Sequence, residues 1–144
     1  MIGIVLLLSL AGLWISIYFT GVFYKWFSPN VKWIPQVCQL KEKSCQLVLE
    51  TPRAKLFGVP NSVFGIGMYA YLIAFFVVGA VREPALPFWL LAVILTGLAT
   101  LRSVYLAYSL IFVTKAACPL CFTSHIINLI LFIVSLVPFK TFNI

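Results

Sequence analysis

Four long apolar stretches, separated by short polar ones, divide the chain. Ile2 to Phe23 carries no charged side chain and runs into Tyr24, Lys25 and Trp26, the aromatic and basic residues expected where a helix leaves a membrane. From Lys25 to Lys55 the pattern turns polar. Pro29, Pro35 and Pro52 break any long helix there, and Lys32, Lys41, Lys43, Arg53, Glu42 and Glu50 call for water. Apolar residues return from Leu56 to Val81, interrupted early by Gly58, Pro60 and Asn61. A second helix is therefore expected to start near Ser62 as N-cap and to end before Arg82 and Glu83. Pro84 and Pro87 open a third, which runs through Trp89 and Leu101 to Phe112, with Arg102, Ser103, Tyr105, Tyr108 and Ser109 expected on one polar side. The last uncharged run, Ala116 to Phe139, opens with Cys118, Pro119, Leu120 and Cys121 and closes at Pro138 and Lys140. The expected fold class is all-α: an integral membrane four-transmembrane-helix bundle, with helices near 2–24, 62–81, 87–112 and 118–138 and one extramembrane loop, about 25–61, between the first two.

Composition agrees with a lipid environment. Of the 144 residues, 63% are hydrophobic, 16% aromatic and only 9% charged, too little polar surface to coat a water-soluble globule. A chain of this length has room for one domain, expected to span 1–144, and neither internal repeat nor low-complexity segment divides it. The net charge of +7 comes from Lys and Arg scattered among loops rather than gathered in a stripe, which favours anionic lipid headgroups over nucleic acid as partner. Met1 leads straight into apolar residues with neither a basic region nor a small-residue cleavage site, so the first helix is expected to be retained.

The four cysteines fall in two pairs. Cys118 and Cys121 form a C-x-x-C with Pro119 at the first helical position. Cys118 would then cap a helix N-terminus, where free backbone N–H groups and the macrodipole favour a thiolate. A lowered thiol pKa makes a good nucleophile or leaving group, and three-residue spacing brings the two sulfurs within bridging reach. Cys38 and Cys45 sit in the polar loop, and with alternating helix directions that loop shares a membrane face with the start of the fourth helix. A mobile pair and a membrane-edge pair suit an electron relay between something soluble and something lipid-borne. The bland alternatives are buried reduced cysteines at the C-x-x-C, a static staple in the loop, or a four-cysteine zinc site. The six residues between Cys38 and Cys45 exceed the usual zinc-ligand spacing.

Other polar residues have two readings each. His125, one turn beyond Cys121 and beside Ser124, could donate to a quinone carbonyl or move a proton, or could be satisfied by a neighbouring hydroxyl. Asn61 at the mouth of the second helix is a candidate carbonyl partner or a plain helix-start residue. Arg102 lies deep in the third span and requires a partner or snorkelling, while Glu42, Glu50 and Glu83 all fall in loops, against a proton-coupled transporter that needs an intramembrane carboxylate. Phe57, Phe64, Tyr69, Phe122 and Phe132 read first as core or lipid-facing residues.

The order of these features, with a loop C-x6-C, then Phe57-Gly58-Val59-Pro60-Asn61-Ser62, then Ser103-Val104-Tyr105-Leu106-Ala107, then Cys118-Pro119-Leu120-Cys121, resembles the vitamin K epoxide reductase family over nearly the whole chain. The resemblance implies a four-helix quinone reductase that takes electrons from a thioredoxin-like redox protein, with ubiquinone, menaquinone or vitamin K as acceptor and no metal. It implies that Cys118 and Cys121 are the active pair, Cys121 facing the quinone and Cys118 receiving attack from Cys45. Cys38 and Cys45 are the implied shuttle pair, Asn61 a hydrogen-bond donor to a quinone carbonyl, and Phe64 a pocket wall. Two positions depart from the family pattern. Thr51 stands where a loop-docking Ser is common and is bulkier and stiffer, and His125 replaces the ring-binding Tyr of animal members. Many prokaryotic members carry a fused thioredoxin-like domain, and here the partner is expected to be a separate protein.

The expected function is disulfide-forming thiol oxidation coupled to quinone reduction. The alternatives are reduction of vitamin K epoxide or quinone by the same relay, and a non-catalytic metal-binding or scaffold protein. Redox logic places the cysteine face outside the cytoplasm. Lys25, Lys32, Lys41, Lys43, Arg53, Lys55 and Lys115 on that face, against Arg82 and Lys140 opposite, point the other way by the positive-inside rule. The redox argument is preferred.

Overall fold

The computed structural model describes residues 2–24, 26, 55–56, 58–113 and 119–138. Cys38, Cys45, Thr51 and Cys118 lie outside them. Helix α1 (Ile2–Phe23) is followed by a small hairpin of β1 (Lys55–Leu56) and β2 (Val59–Pro60), then by α2 (Asn61–Gly79), α3 (Leu86–Tyr108) with a π-helical turn at Ser109–Val113, and α4 (Pro119–Ser135). Ile2–Gly21, Asn61–Gly79 and Leu86–Val113 are each long and apolar enough to cross a membrane, and α4 carries a shorter apolar stretch, Cys121–Ser135. The molecule is thus a mostly helical membrane bundle.

In lipid, apolar side chains gain little by meeting each other, so close backbone approach and hydrogen bonds decide which helix faces meet. Helices α1 and α2 pack antiparallel through small residues. The Thr20 hydroxyl donates to Ser62 Oγ at 2.8 Å. A Cβ on Gly65 would lie 2.7 Å from Ser16 Oγ, and one on Gly12 would run into the ring of Tyr69. These pairs step down one helix as they step up the other. The same register carries Ser9 to the level of Leu72 and Val5 to that of Phe76, all four buried. Ser9 Oγ has no hydrogen-bond partner in this seam. A buried hydroxyl without a partner is a cost, so Ser9→Ala should leave the thermal midpoint of the detergent-solubilised protein unchanged or slightly raised; a clear drop would show that the hydroxyl is satisfied.

Helices α3 and α4 form the second antiparallel pair. Ala92, Thr96, Thr100 and Ser103 make the buried stripe of α3. Thr96 and Thr100 return their hydroxyls to the carbonyls of Ala92 and Thr96, each at 2.8 Å, which hides polar atoms within the helix. A Cβ on Gly97 would press on the Phe132 ring at 3.2 Å. Tyr69 on α2 reaches across to Asn128 on α4 and ties the pairs together.

Three local expectations change. Helix α2 begins at Asn61 after Pro60, which makes no side-chain cap, and Ser62 is already helical with its hydroxyl engaged by Thr20. The hairpin explains the early break: Leu56 pairs with Val59, Lys55 with Pro60, and Gly58 turns the chain with φ 78°, a conformation that a Cβ would strain. Helix α4 ends at Ser135, short of 138. The polar side expected on α3 divides: Ser103 and Ser109 are buried in the bundle, whereas Tyr105 and Tyr108 are exposed, because residues two and five positions apart cannot share a face at 3.6 per turn.

Candidate functional site

A cavity of about 800 Å³ lies between α2 and α3 and is floored by α4. Asn61, Phe64, Gly67 and Met68 contribute from α2, Leu95, Leu98, Leu101, Arg102 and Tyr105 from α3, and Asn128 from α4. Its wall is mainly hydrocarbon, with polar groups from three helices. It opens sideways, since Phe64 and Leu101 on its lining are 47% and 70% exposed on a surface that faces lipid. A Cβ on Gly67 would meet nothing within 4 Å, so the missing side chain contributes to the open space.

The polar end of the cavity is held rigidly. The Tyr69 hydroxyl, 2% exposed as a residue, donates to Asn128 Oδ1 at 2.5 Å, and Asn128 Nδ2 donates to Ser103 Oγ at 2.8 Å. The Thr100 hydroxyl also donates to the Asn128 carbonyl at 3.2 Å. The bonds to Tyr69 and Ser103 fix the amide plane from α2 and α3. Also on the cavity wall, the Arg102 guanidinium lies over the Tyr105 ring, 5.1 Å from its centroid, and this cation–π contact answers the need for a partner deep in the span.

Depth within the bundle follows from these contacts. The Tyr69–Asn128 bond marks one level. Asn61 lies eight residues toward the N-terminus of α2 and Cys121 seven toward that of α4, so at about 1.5 Å per residue both stand about 10–12 Å from that level and at the same end. Arg102, next to Ser103, belongs to the deeper level. Pro119 opens α4 as expected, and Ser124 Oγ returns its proton to the Cys121 carbonyl at 2.8 Å. Cys121 is buried. One turn on, His125 has both ring nitrogens shielded and without a hydrogen-bond partner among the described residues.

Of the expected site residues, Asn61 and Phe64 therefore meet in the cavity, while Cys121 and His125 are not among its lining residues. Cys38, Cys45, Thr51 and Cys118 lie outside the described residues. Asn128, Tyr69 and Ser103 were missed as a polar cluster. The signal was present as three hydrogen-bonding residues within predicted spans, but their mutual facing could not be read without the helix register. A second cavity, about 490 Å³ and bounded by Tyr71, Arg82, Glu83 and Phe88, lies toward the α2–α3 turn and is lined by none of the expected site residues among those described. Among the described residues no group of three metal-ligating side chains converges.

No curated protein is significantly similar to the chain in sequence. A family model does match, from residue 3 to residue 136, and it covers all four helices and the segment between the first two. With that match across nearly its whole length, the chain belongs to the vitamin K epoxide reductase family, membrane oxidoreductases associated with quinone substrates.

Proposed function

We propose that the protein is a quinone-dependent thiol oxidoreductase that supports disulfide formation. The observation that carries this reading is the laterally open cavity with Asn61 at the depth of Cys121. A hydrophobic quinone can enter it from the bilayer through the gap beside Phe64 and Leu101. Polar donors at Asn61, Arg102 and Asn128 suit ring oxygens, and the hydrocarbon wall suits the ring and tail. The nitrogens of His125, without a partner among the described residues, give a further reason to expect a ligand or proton near Cys121, because a buried polar group left without a bond costs about 1–3 kcal/mol.

In this reading a reduced thioredoxin-like protein exchanges its dithiol with the Cys38–Cys45 disulfide, and Cys45 then attacks Cys118 in a Cys118–Cys121 disulfide. The released Cys121 thiolate faces the quinone. The dithiol loses two electrons and two protons, the ring gains both, and the products are a disulfide and a hydroquinone. The cysteine face lies outside the cytoplasm, Thr51 helps dock the loop, and the fourth helix completes a four-span single domain.

The test is turnover by purified full-length protein given a reduced thioredoxin-like protein and a short-chain quinone. Wild type should oxidise the partner and reduce the quinone in equal amounts. Cys118→Ala should stop both and leave a Cys121 thiolate that absorbs as a charge-transfer complex with bound quinone. Gly67→Phe, which fills the cavity, should raise KM for the quinone while preserving partner exchange. Folded protein with accessible thiols and no turnover would sink the reading and direct attention to bound zinc; turnover of a vitamin K epoxide with a simple dithiol, but none with the protein partner, would shift it to epoxide reduction.

A further inference from the structure

Arg102 places a guanidinium in the third span. A guanidinium in that setting strengthens any negative charge that forms beside it, since the surrounding dielectric is low. It sits on the cavity wall, steadied by the Tyr105 ring. The same cavity is lined by the Asn128 amide, whose oxygen is held by Tyr69 and one N–H by Ser103, which leaves the second N–H without a partner among the described residues. Two donors of different charge thus line one cavity. Along the bundle axis the level of Asn128 and Ser103 is about 10 Å deeper than that of Cys121 by helix rise, the scale of one quinone ring with a contact distance at either side.

We propose that Arg102 and Asn128 bind the deeper oxygen of the ring and stabilise the negative charge that reaches it during reduction. This rests on the quinone reading above. Addition of the Cys121 thiolate to a ring carbon forms a carbon–sulfur bond and moves an electron pair to a ring oxygen as an enolate. Attack by the Cys118 sulfur on Cys121 then forms the disulfide, breaks the carbon–sulfur bond and leaves both electrons on the ring. The two thiol protons end on the two hydroquinone oxygens. In both steps the ring carries negative charge that the neutral quinone lacks. Donors fixed before the reaction and aimed at such an oxygen lower the barrier without reorganising.

The prediction separates charge from packing. Arg102→Met should lower kcat for a short-chain quinone about 100-fold, the usual scale for losing a preorganised donor, with little change in KM. Arg102→Lys should recover much of the rate. Binding is followed independently of turnover by quenching of tryptophan fluorescence with 2-hydroxy-1,4-naphthoquinone, which is ionised at neutral pH, and with its neutral 2-methoxy ether. Wild type should prefer the anionic ring at least about tenfold, a difference of about 1.4 kcal/mol; Arg102→Met should lose that preference and Arg102→Lys should keep part of it. Turnover in wild type with equal preference in wild type and Arg102→Met would overturn the charge role and leave the quinone reductase standing. Equal losses of kcat and thermal midpoint in Met and Lys variants would also overturn it, by making Arg102 structural. Absence of all turnover in wild type removes the quinone reading and this inference together.

Discussion

Cys121→Ala is expected to reduce quinone-coupled turnover to background, a loss of about a thousandfold or more, because in the proposed reaction Cys121 is the nucleophile that adds to the ring. The substitution removes one buried sulfur, so the folded state should survive with a penalty of about 1 kcal/mol. Partner exchange at the loop pair should persist for a single turnover and then stall with the loop reduced. The decisive comparison is stopped-flow oxidation of the thioredoxin-like partner against steady-state quinone reduction in the same preparation. Full steady-state activity in Cys121→Ala would refute the assignment of this sulfur, whatever the remaining cysteines do.

The second large effect concerns folding. Gly12→Val should destabilise the bundle by about 3 kcal/mol, at the upper end for overpacking a well-filled core. Its new Cβ would occupy space held by the Tyr69 ring. That ring has no cheap escape, since it is buried and its hydroxyl is bonded to Asn128. Moving it would break a link between α2 and α4 as well as the α1–α2 seam. The expected outcome is a lower midpoint in thermal aggregation and increased accessibility of Cys121 to a maleimide in detergent. Gly3→Val is the control, since a Cβ there meets nothing within 4 Å. Equal midpoints for the two variants would show that the Gly12–Tyr69 contact does not hold the helices.

Hydropathy located α1 at Ile2–Phe23, and placed α2 to within two residues and α3 to within four, because uncharged runs and flanking Pro, Arg and Lys report directly which residues leave water. It said little about rotation. In α1 the protein-facing and lipid-facing sides are equally apolar, so Ile4 and Leu7 outside and Val5 and Tyr18 inside look alike in composition. The cue that would have fixed the face is the run Ser9, Gly12, Ser16 and Thr20, small or hydroxylated residues at steps of three and four.

The candidate site was legible in parts for the same reason. Asn61, Cys121 and His125 stood out by chemical type within apolar surroundings, and their common end of the bundle followed from alternating helix directions. The Asn128 cluster required tertiary register, which no local pattern encodes. The π-helical turn at Ser109–Val113 was likewise invisible in a segment that reads as continuous helix, since widening a turn depends on how Ser109 and Leu110 are buried against neighbours.

The sideways opening beside Leu98 and Leu101 changes the concentration scale on which this protein is to be judged. A ligand that arrives through it comes from the bilayer, where an apolar quinone is concentrated far above its value in water. Apparent affinities expressed per volume of buffer will then drift with the amount of detergent or lipid in the assay. Mole fraction within the hydrophobic phase is the transferable unit, and variants are comparable only when that quantity is held fixed.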